Sequence, residues 1–255
     1  MAKYRLDVLV TERGLAESRE KARAMIMAGD VKVGGAIVTK PGTMIVSQVD
    51  VQVAEKPLYV SRGGIKLEHA LKSLSLNPSG MVVADIGAST GGFTDCLLKK
   101  GAERVYAIDV GYGQLDYRLR IDHRVVVKER VNARYPFELP ELVDMVTMDV
   151  SFISVRLVLP SVARFLKAGG AALLLFKPQF EVGKGQVGKG GVVRDPFLHA
   201  QTLGKFIIWA VENRYKLLGL EPSPILGDAG NREFFFLLKP QIALNAVAED
   251  EKLGL

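Results

Sequence analysis

Beyond residue 60 the chain alternates apolar, strand-like runs with amphipathic helical stretches, and this rhythm constrains the fold more than any other feature. Runs at 81–86, 104–109, 125–128, 143–148, 171–176, 216–220 and 233–238 read as strands. Stretches at 93–100, 155–167 and 196–213 read as helices, and Leu67, Ala70, Leu71 and Leu74 mark another ahead of the first strand. Alternation of this kind predicts an α/β domain with a parallel sheet covered on both faces.

The first fifty-five residues have a different character. Leu6, Leu9 and Val10 share a helical face before Gly14, and Ser18 stands as an N-cap for a helix at 19–28 that Gly29 ends. Val31 and Val33 lead into Gly34-Gly35, a hairpin signal followed by Ile37 and Val38, and Val49, Val51 and Val53 alternate with polar residues as a half-buried strand. The expected division is a small α+β domain over 1–55, a linker at 56–60, a larger domain over 61–240 and a loosely attached tail at 241–255.

Composition narrows the function classes. The chain is 48% hydrophobic and 24% charged, which is globular. Its longest apolar run, at 171–176, falls far below the roughly 18 residues that span a membrane, and no secretory signal opens the sequence. The single cysteine, Cys96, can form neither an internal disulfide nor a multi-cysteine zinc site. His69, His123 and His199 lack metal-ligand spacing. A soluble cytoplasmic protein without a metal is expected. Lys and Arg outnumber Asp and Glu by 34 to 28, and this basic surplus favours polyanions such as nucleic acid.

Arg19 and Arg23 are four residues apart on one helix face, with Lys32 nearby. An ordinary solvated face would carry the same charges. The wider pattern separates the two readings: Arg5-Leu-Asp7, then Ser18-Arg19, Ala22, Ile26, Gly29 and Val31-x-Val33-x-Gly35. This run resembles the S4-type RNA-binding domain. The resemblance implies a module that grips structured RNA and does no chemistry, with Arg5, Arg19, Arg23 and Lys32 as candidate contacts.

Asp85-Ile-Gly87-Ala-Ser89-Thr90-Gly91-Gly92-Phe93 follows an apolar strand and opens a helix. Such glycines let the backbone turn sharply and approach a ligand, with helix N-terminal amides exposed to it. The spacing is not the dinucleotide fingerprint. An acid before the first glycine suits a ligand with positive charge, and Asp109, at the next strand end, is placed to accept ribose hydroxyls. Together these residues look like an S-adenosylmethionine site. Asn132 is a candidate for the adenine end, with loop capping as the competing role. A second glycine-rich run, Gly183 to Gly190, fits G-x-x-x-x-G-K but has glycine where the magnesium-binding Ser or Thr belongs. It reads as a lysine-bearing loop, with Lys184 and Lys189, beside a polyanionic substrate.

Lys66 opens a helix, Asp149 and Lys177 end strands, and Glu233 begins the last strand. In an open parallel sheet the carboxyl ends of the strands form the ligand crevice. In order, these four residues match the Lys-Asp-Lys-Glu tetrad of FtsJ-type ribose methyltransferases. Ser61-Arg62-Gly-Gly and Gly188-Lys-Gly-Gly-Val-Val-Arg-Asp195 narrow the resemblance to the TlyA family, also labelled hemolysin A. It implies a Rossmann-like seven-stranded S-adenosylmethionine-dependent methyltransferase sheet behind a small α+β RNA-binding domain. It also implies 2′-O-methylation of cytidines in the RNA of one or both ribosomal subunits.

The residue types suit that chemistry. Methyl transfer from a sulfonium is an in-line displacement, so positioning supplies much of the acceleration. A neutral lysine can take the hydroxyl proton where neighbouring cations disfavour its charged form. Lys177 is the expected base, Lys66 positions the hydroxyl or phosphate, and Asp149 and Glu233 orient the ammonium groups. Arg62 joins the loop lysines as an RNA contact. Asp149-Val-Ser-Phe152 lacks the double proline of enzymes that methylate base amines, which favours oxygen as the acceptor. Three competing readings are an inactive ribosome-assembly factor, a membrane-active hemolysin and a methyltransferase for transfer or messenger RNA.

Overall fold

The computed structural model describes residues 3–54, 57–183 and 185–241. Lys56 of the expected linker, Lys184 and residues 242–255 of the expected tail lie outside the described residues. The chain divides into two compact units, Met1–Pro57 and Leu58–Leu255.

The first unit contains β1 (Lys3–Arg5), α1 (Leu6–Glu12), α2 (Arg19–Ala28), β2 (Val31–Val33), β3 (Ala36–Ile37), β4 (Met44–Val46) and β5 (Val51–Val53). Ser18 Oγ accepts the Lys21 N–H and so satisfies one of the free amides at the start of α2. Leu6, Leu9 and Val10 of α1 pack with Ala22, Ile26, Val31, Ile45 and Val51 in one small core. Strand β2 lies between β3 and β5, while β1 pairs antiparallel with β4. The sequence reading lacks β1 and β4, because Lys3-Tyr-Arg5 is exposed throughout and Met44-Ile-Val46 is apolar throughout, so neither shows alternation.

The second unit runs α3 (Gly63–Ser73), β6 (Val82–Ile86), α4 (Gly92–Lys99), β7 (Arg104–Ile108), α5 (Tyr117–Arg120) and β8 (Val125–Lys128). It continues with β9 (Val143–Met148), α6 (Val155–Ala163), β10 (Leu166–Phe176), α7 (Pro196–Glu212), β11 (Tyr215–Pro222) and β12 (Phe234–Pro240). The seven strands form one sheet in the order β11-β12-β10-β9-β6-β7-β8, with β12 antiparallel to both neighbours. Both faces are buried. Val82, Ala84 and Ile86 pack with Val158, Leu159 and Val162 of α6 and Phe206 of α7. Val83, Val105 and Leu173 pack with Leu67 and Leu71 of α3 and Leu97 of α4.

One boundary departs from the sequence reading. The helix expected over 155–167 ends at Ala163, and β10 begins at Leu166, paired with Val143. Apolar spacing continues through Phe165 and Leu166 because both are buried, but they face the sheet as its strand begins. The register then shifts before Ala171, across Gly169 and Gly170. Among the described residues no helix is long and apolar enough to cross a membrane.

Candidate active site

Strand order explains how residues far apart in sequence meet. The chain places β7 and β8 on one side of β6, and β9 and β10 on the other. At such a reversal the carboxyl ends of the central strands open a crevice. Ile86 pairs with Met148, so Gly87 and Asp149 emerge side by side. Phe176 pairs with Phe234 on an antiparallel neighbour, which brings the following Lys177 beside the preceding Glu233. Lys66 arrives from the first turn of α3.

These residues line one cavity of about 670 Å³, together with Ser61, Arg62, Ser89, Thr90, Gly92, Phe93 and Asn231. Lys66 Nζ donates to Glu233 Oε2 at 2.6 Å, and both side chains are almost wholly buried. Lys177 Nζ lies 2.6 Å from Asp149 Oδ1, an ion pair by distance whose angles do not make a hydrogen bond. Its aligned hydrogen bond goes to Ser151 Oγ at 2.8 Å. The four residues therefore form two lysine–carboxylate pairs lining one cavity. On the rim, Phe152 is 91% exposed with φ +62° and lies against Phe180 at 5.1 Å between ring centroids.

The glycine loop forms the adjoining wall. Gly87 has φ +80°, and a Cβ there would lie 2.5 Å from the Asp149 carbonyl oxygen, so the turn tolerates no side chain. Gly92 approaches Ser61 and the start of α3 as closely, joining the first turns of α3 and α4. Gly91 caps α4 without a side-chain acceptor, and the Asp85 carboxyl accepts one first-turn amide, that of Thr94.

Some expected cofactor residues sit elsewhere. Asp85 does not face a cationic ligand: it is fully buried beneath the loop, accepting from Thr94 Oγ1 at 2.7 Å and Thr147 Oγ1 at 2.9 Å. Burial pushes its carboxyl up to about 7, with the two hydroxyls opposing the shift. It ties β6, α4 and β9 together. Asp109 braces the loop, accepting the Ser89 N–H at 2.8 Å and the Gly111 N–H at 2.7 Å. Each of its oxygens keeps a second lone pair for a ligand. Asn132 is exposed and accepts the Arg134 N–H at 3.1 Å, the loop-capping geometry.

In the first unit Arg5 and Arg19 converge on Asp7, which is fully buried. The Arg5 guanidinium, opposed by burial and helped by Arg19, holds the Asp7 carboxyl down to about 2. Both arginines remain about half-exposed, while Arg23 and Lys32 are exposed. Arg62 pairs with Asp228 at 2.7 Å on the cavity rim, and Lys189 lies on an exposed turn whose Gly190 and Gly191 line the cavity. Sequence reasoning assigned no role to Asn231, Ser151 or Phe180. Asn231 stands two residues before Glu233, a proximity that gave the only signal for it. Among the described residues no group of His, Cys, Asp and Glu could hold a metal ion.

Comparison with known proteins places this architecture. The FtsJ-like methyltransferase family matches residues 59–240, and the S4 domain family matches residues 5–51. A Bacillus subtilis protein called YqxC is 50% identical over 240 residues, covering 92% of this chain and 85% of its own length. The Mycobacterium tuberculosis 16S/23S rRNA (cytidine-2′-O)-methyltransferase TlyA is 44% identical over 241 residues, covering 93% of this chain and 90% of its own. A solved structure from Streptococcus thermophilus, described as a hemolysin, is 42% identical with a TM-score of 0.70, covering 99% of this chain and 97% of its own.

Proposed function

The chain belongs to the FtsJ-like methyltransferase family and carries an S4 domain ahead of that region; from this premise we propose that it methylates ribose 2′-hydroxyls of cytidines in ribosomal RNA, using S-adenosylmethionine. The observation that carries the reading is the two lysine–carboxylate pairs that line one cavity with the glycine loop. The acceptor class is supported by the tuberculosis relative, whose name states cytidine 2′-O-methylation of ribosomal RNA.

The residues present fit the cofactor. Gly87, held against the Asp149 carbonyl with no room for a Cβ, lines the cavity with Ser89, Thr90, Gly92 and Phe93, so the loop backbone itself faces the ligand space. Asp109 would meet the ribose. When bound, the sulfonium supplies an electrophilic methyl group. Lys177, in its amine form, takes the proton from the 2′-hydroxyl, with Asp149 and Ser151 fixing its Nζ. Lys66, held by Glu233, orients the acceptor hydroxyl or its phosphate. Arg5, Arg19, Arg23 and Lys32 of the S4 domain grip the RNA backbone, and Arg62, Lys189 and Lys184 contact it from the methyltransferase domain.

The test uses labelled S-adenosylmethionine and separated ribosomal subunits from a strain lacking the gene, followed by mapping of the product. Label on a cytidine 2′-oxygen is expected. Label on a base nitrogen, on transfer RNA alone or on nothing overturns the reading, and vesicle lysis without methylation would replace it with the membrane-active alternative.

A further inference from the structure

Asn231 is 3% exposed and lines the cavity, yet neither pair of the tetrad uses it. Its side-chain oxygen accepts the Val193 N–H at 3.0 Å, and its amide donates to the Gly191 carbonyl at 2.9 Å. Its own carbonyl accepts the Gly227 N–H at 2.8 Å. The Val193 carbonyl lies 2.9 Å from His199 Nε2, and because a carbonyl only accepts, the imidazole carries a proton there. The Val193 peptide is therefore clamped from both sides by buried side chains. Gly190 and Gly191, next to this clamp, have φ +77° and line the same cavity as Glu233. A Cβ on either glycine would meet nothing within 4 Å. Protein packing thus leaves the space beside these two cavity-lining glycines open, which suits a wall approached closely by a substrate.

We propose that Asn231 is a positioning residue for methyl transfer: its amide, bridging the peptide groups of Gly191 and Val193, fixes the Gly190–Gly191 wall against which the acceptor nucleotide is seated beside Lys66 and Glu233. This rests on the ribose-methyltransferase reading above. Asn231 touches neither reacting group and acts through the wall. An amide suits the task because it supplies one donor and one acceptor to two peptide groups without adding charge beside the Lys66–Glu233 pair.

The experiment compares the full-length parent with Asn231→Asp, Asn231→Ala and Gly190→Ala. Asn231→Asp keeps the shape and the acceptor but, while ionised, cannot donate to Gly191. Asn231→Ala should lose hydrogen-exchange protection at Val193, which Asn231→Asp should keep, and both should lose about 10²-fold in kcat, the scale expected of slight misplacement. Their KM values for S-adenosylmethionine and ribosomal RNA should stay at parental levels, a split that general destabilisation would not produce. Gly190→Ala, checked by its melting curve, tests the wall independently of the amide and should also lose turnover with cofactor affinity intact. Parental turnover in a folded Asn231 variant, parental turnover in Gly190→Ala, or loss of cofactor affinity in place of kcat overturns the proposal. A parent that methylates no ribosomal RNA overturns the functional reading instead, and the parental assay registers that before any variant is compared.

Discussion

Lys66 and Glu233 stand 167 residues apart in the chain and 2.6 Å apart in space, closed into an ion pair that solvent scarcely reaches. Removing one partner from such a pair strands the other. Glu233→Ala should therefore cost about 3–5 kcal/mol in urea unfolding at neutral pH. The Lys66→Ala, Glu233→Ala double variant should be more stable than Glu233→Ala alone, because it leaves no buried charge. Additive losses in the double-mutant cycle would mean that the two residues do not stabilise one another.

Lys177→Ala should reduce methylation by about 10²–10⁴-fold while leaving cofactor and RNA affinity near parental values. Lys177→Arg should also fail, since a guanidinium cannot give up its proton at neutral pH. Near-parental turnover in the arginine variant would make the role of Lys177 electrostatic and move the search for the base to Lys66 or solvent.

S-adenosylmethionine should raise the melting temperature of the parent in a concentration-dependent way, while ATP and NAD should not. Gly87→Ala should remove that shift. Its φ is +80°, and the added methyl would displace the Asp149 carbonyl 2.5 Å away. Equilibrium dialysis of the variant with labelled cofactor checks the same point. Undiminished binding would show that the loop has room the geometry denies.

Asp85→Asn should stabilise the protein at pH 8, with the advantage vanishing near pH 4. The folded carboxyl titrates at about 7, above its ordinary value of 3.8, so folding favours its protonated form. The parent's stability from this group is fully present below the unfolded value and is lost as pH rises through 7. Thermal melts of parent and variant across that range measure the difference. A constant difference at all pH values would mean that the carboxyl is ionised throughout.

Arg23→Ala should weaken RNA binding and reduce the log–log salt slope by about 0.7–0.9, since one phosphate fewer is neutralised, with unchanged stability. Arg19→Ala should weaken binding and also lower the melting point, because the buried Asp7 loses one of its two arginine partners. Equal affinity and slope in Arg23→Ala would assign that arginine to an ordinary solvated face.

The sequence by itself determined the periodic features. Apolar runs over residues 82–86 and 143–148 mark strands buried on both faces, and Ser18 and Gly29 bound α2 through local hydrogen bonding and a left-handed turn. The positions of the glycine loop and of Lys66, Asp149, Lys177 and Glu233 at strand or helix ends were legible from spacing, while grouping those four residues rested on the resemblance to FtsJ-type ribose methyltransferases. Partner choice was not legible. Only the register of β10 against β12 brings Lys177 beside Glu233, and only the packing of α3 on the sheet sends Lys66 to Glu233 while Asp149 takes Lys177. Asp85 shows the same limit: its place before Gly87 suggested a ligand contact, yet its side chain turns into the sheet toward Thr94 and Thr147. Local spacing fixes where a residue stands along a strand, but the direction of its side chain and the partner it meets depend on contacts between elements distant in sequence. Those contacts exist only once the sheet has assembled.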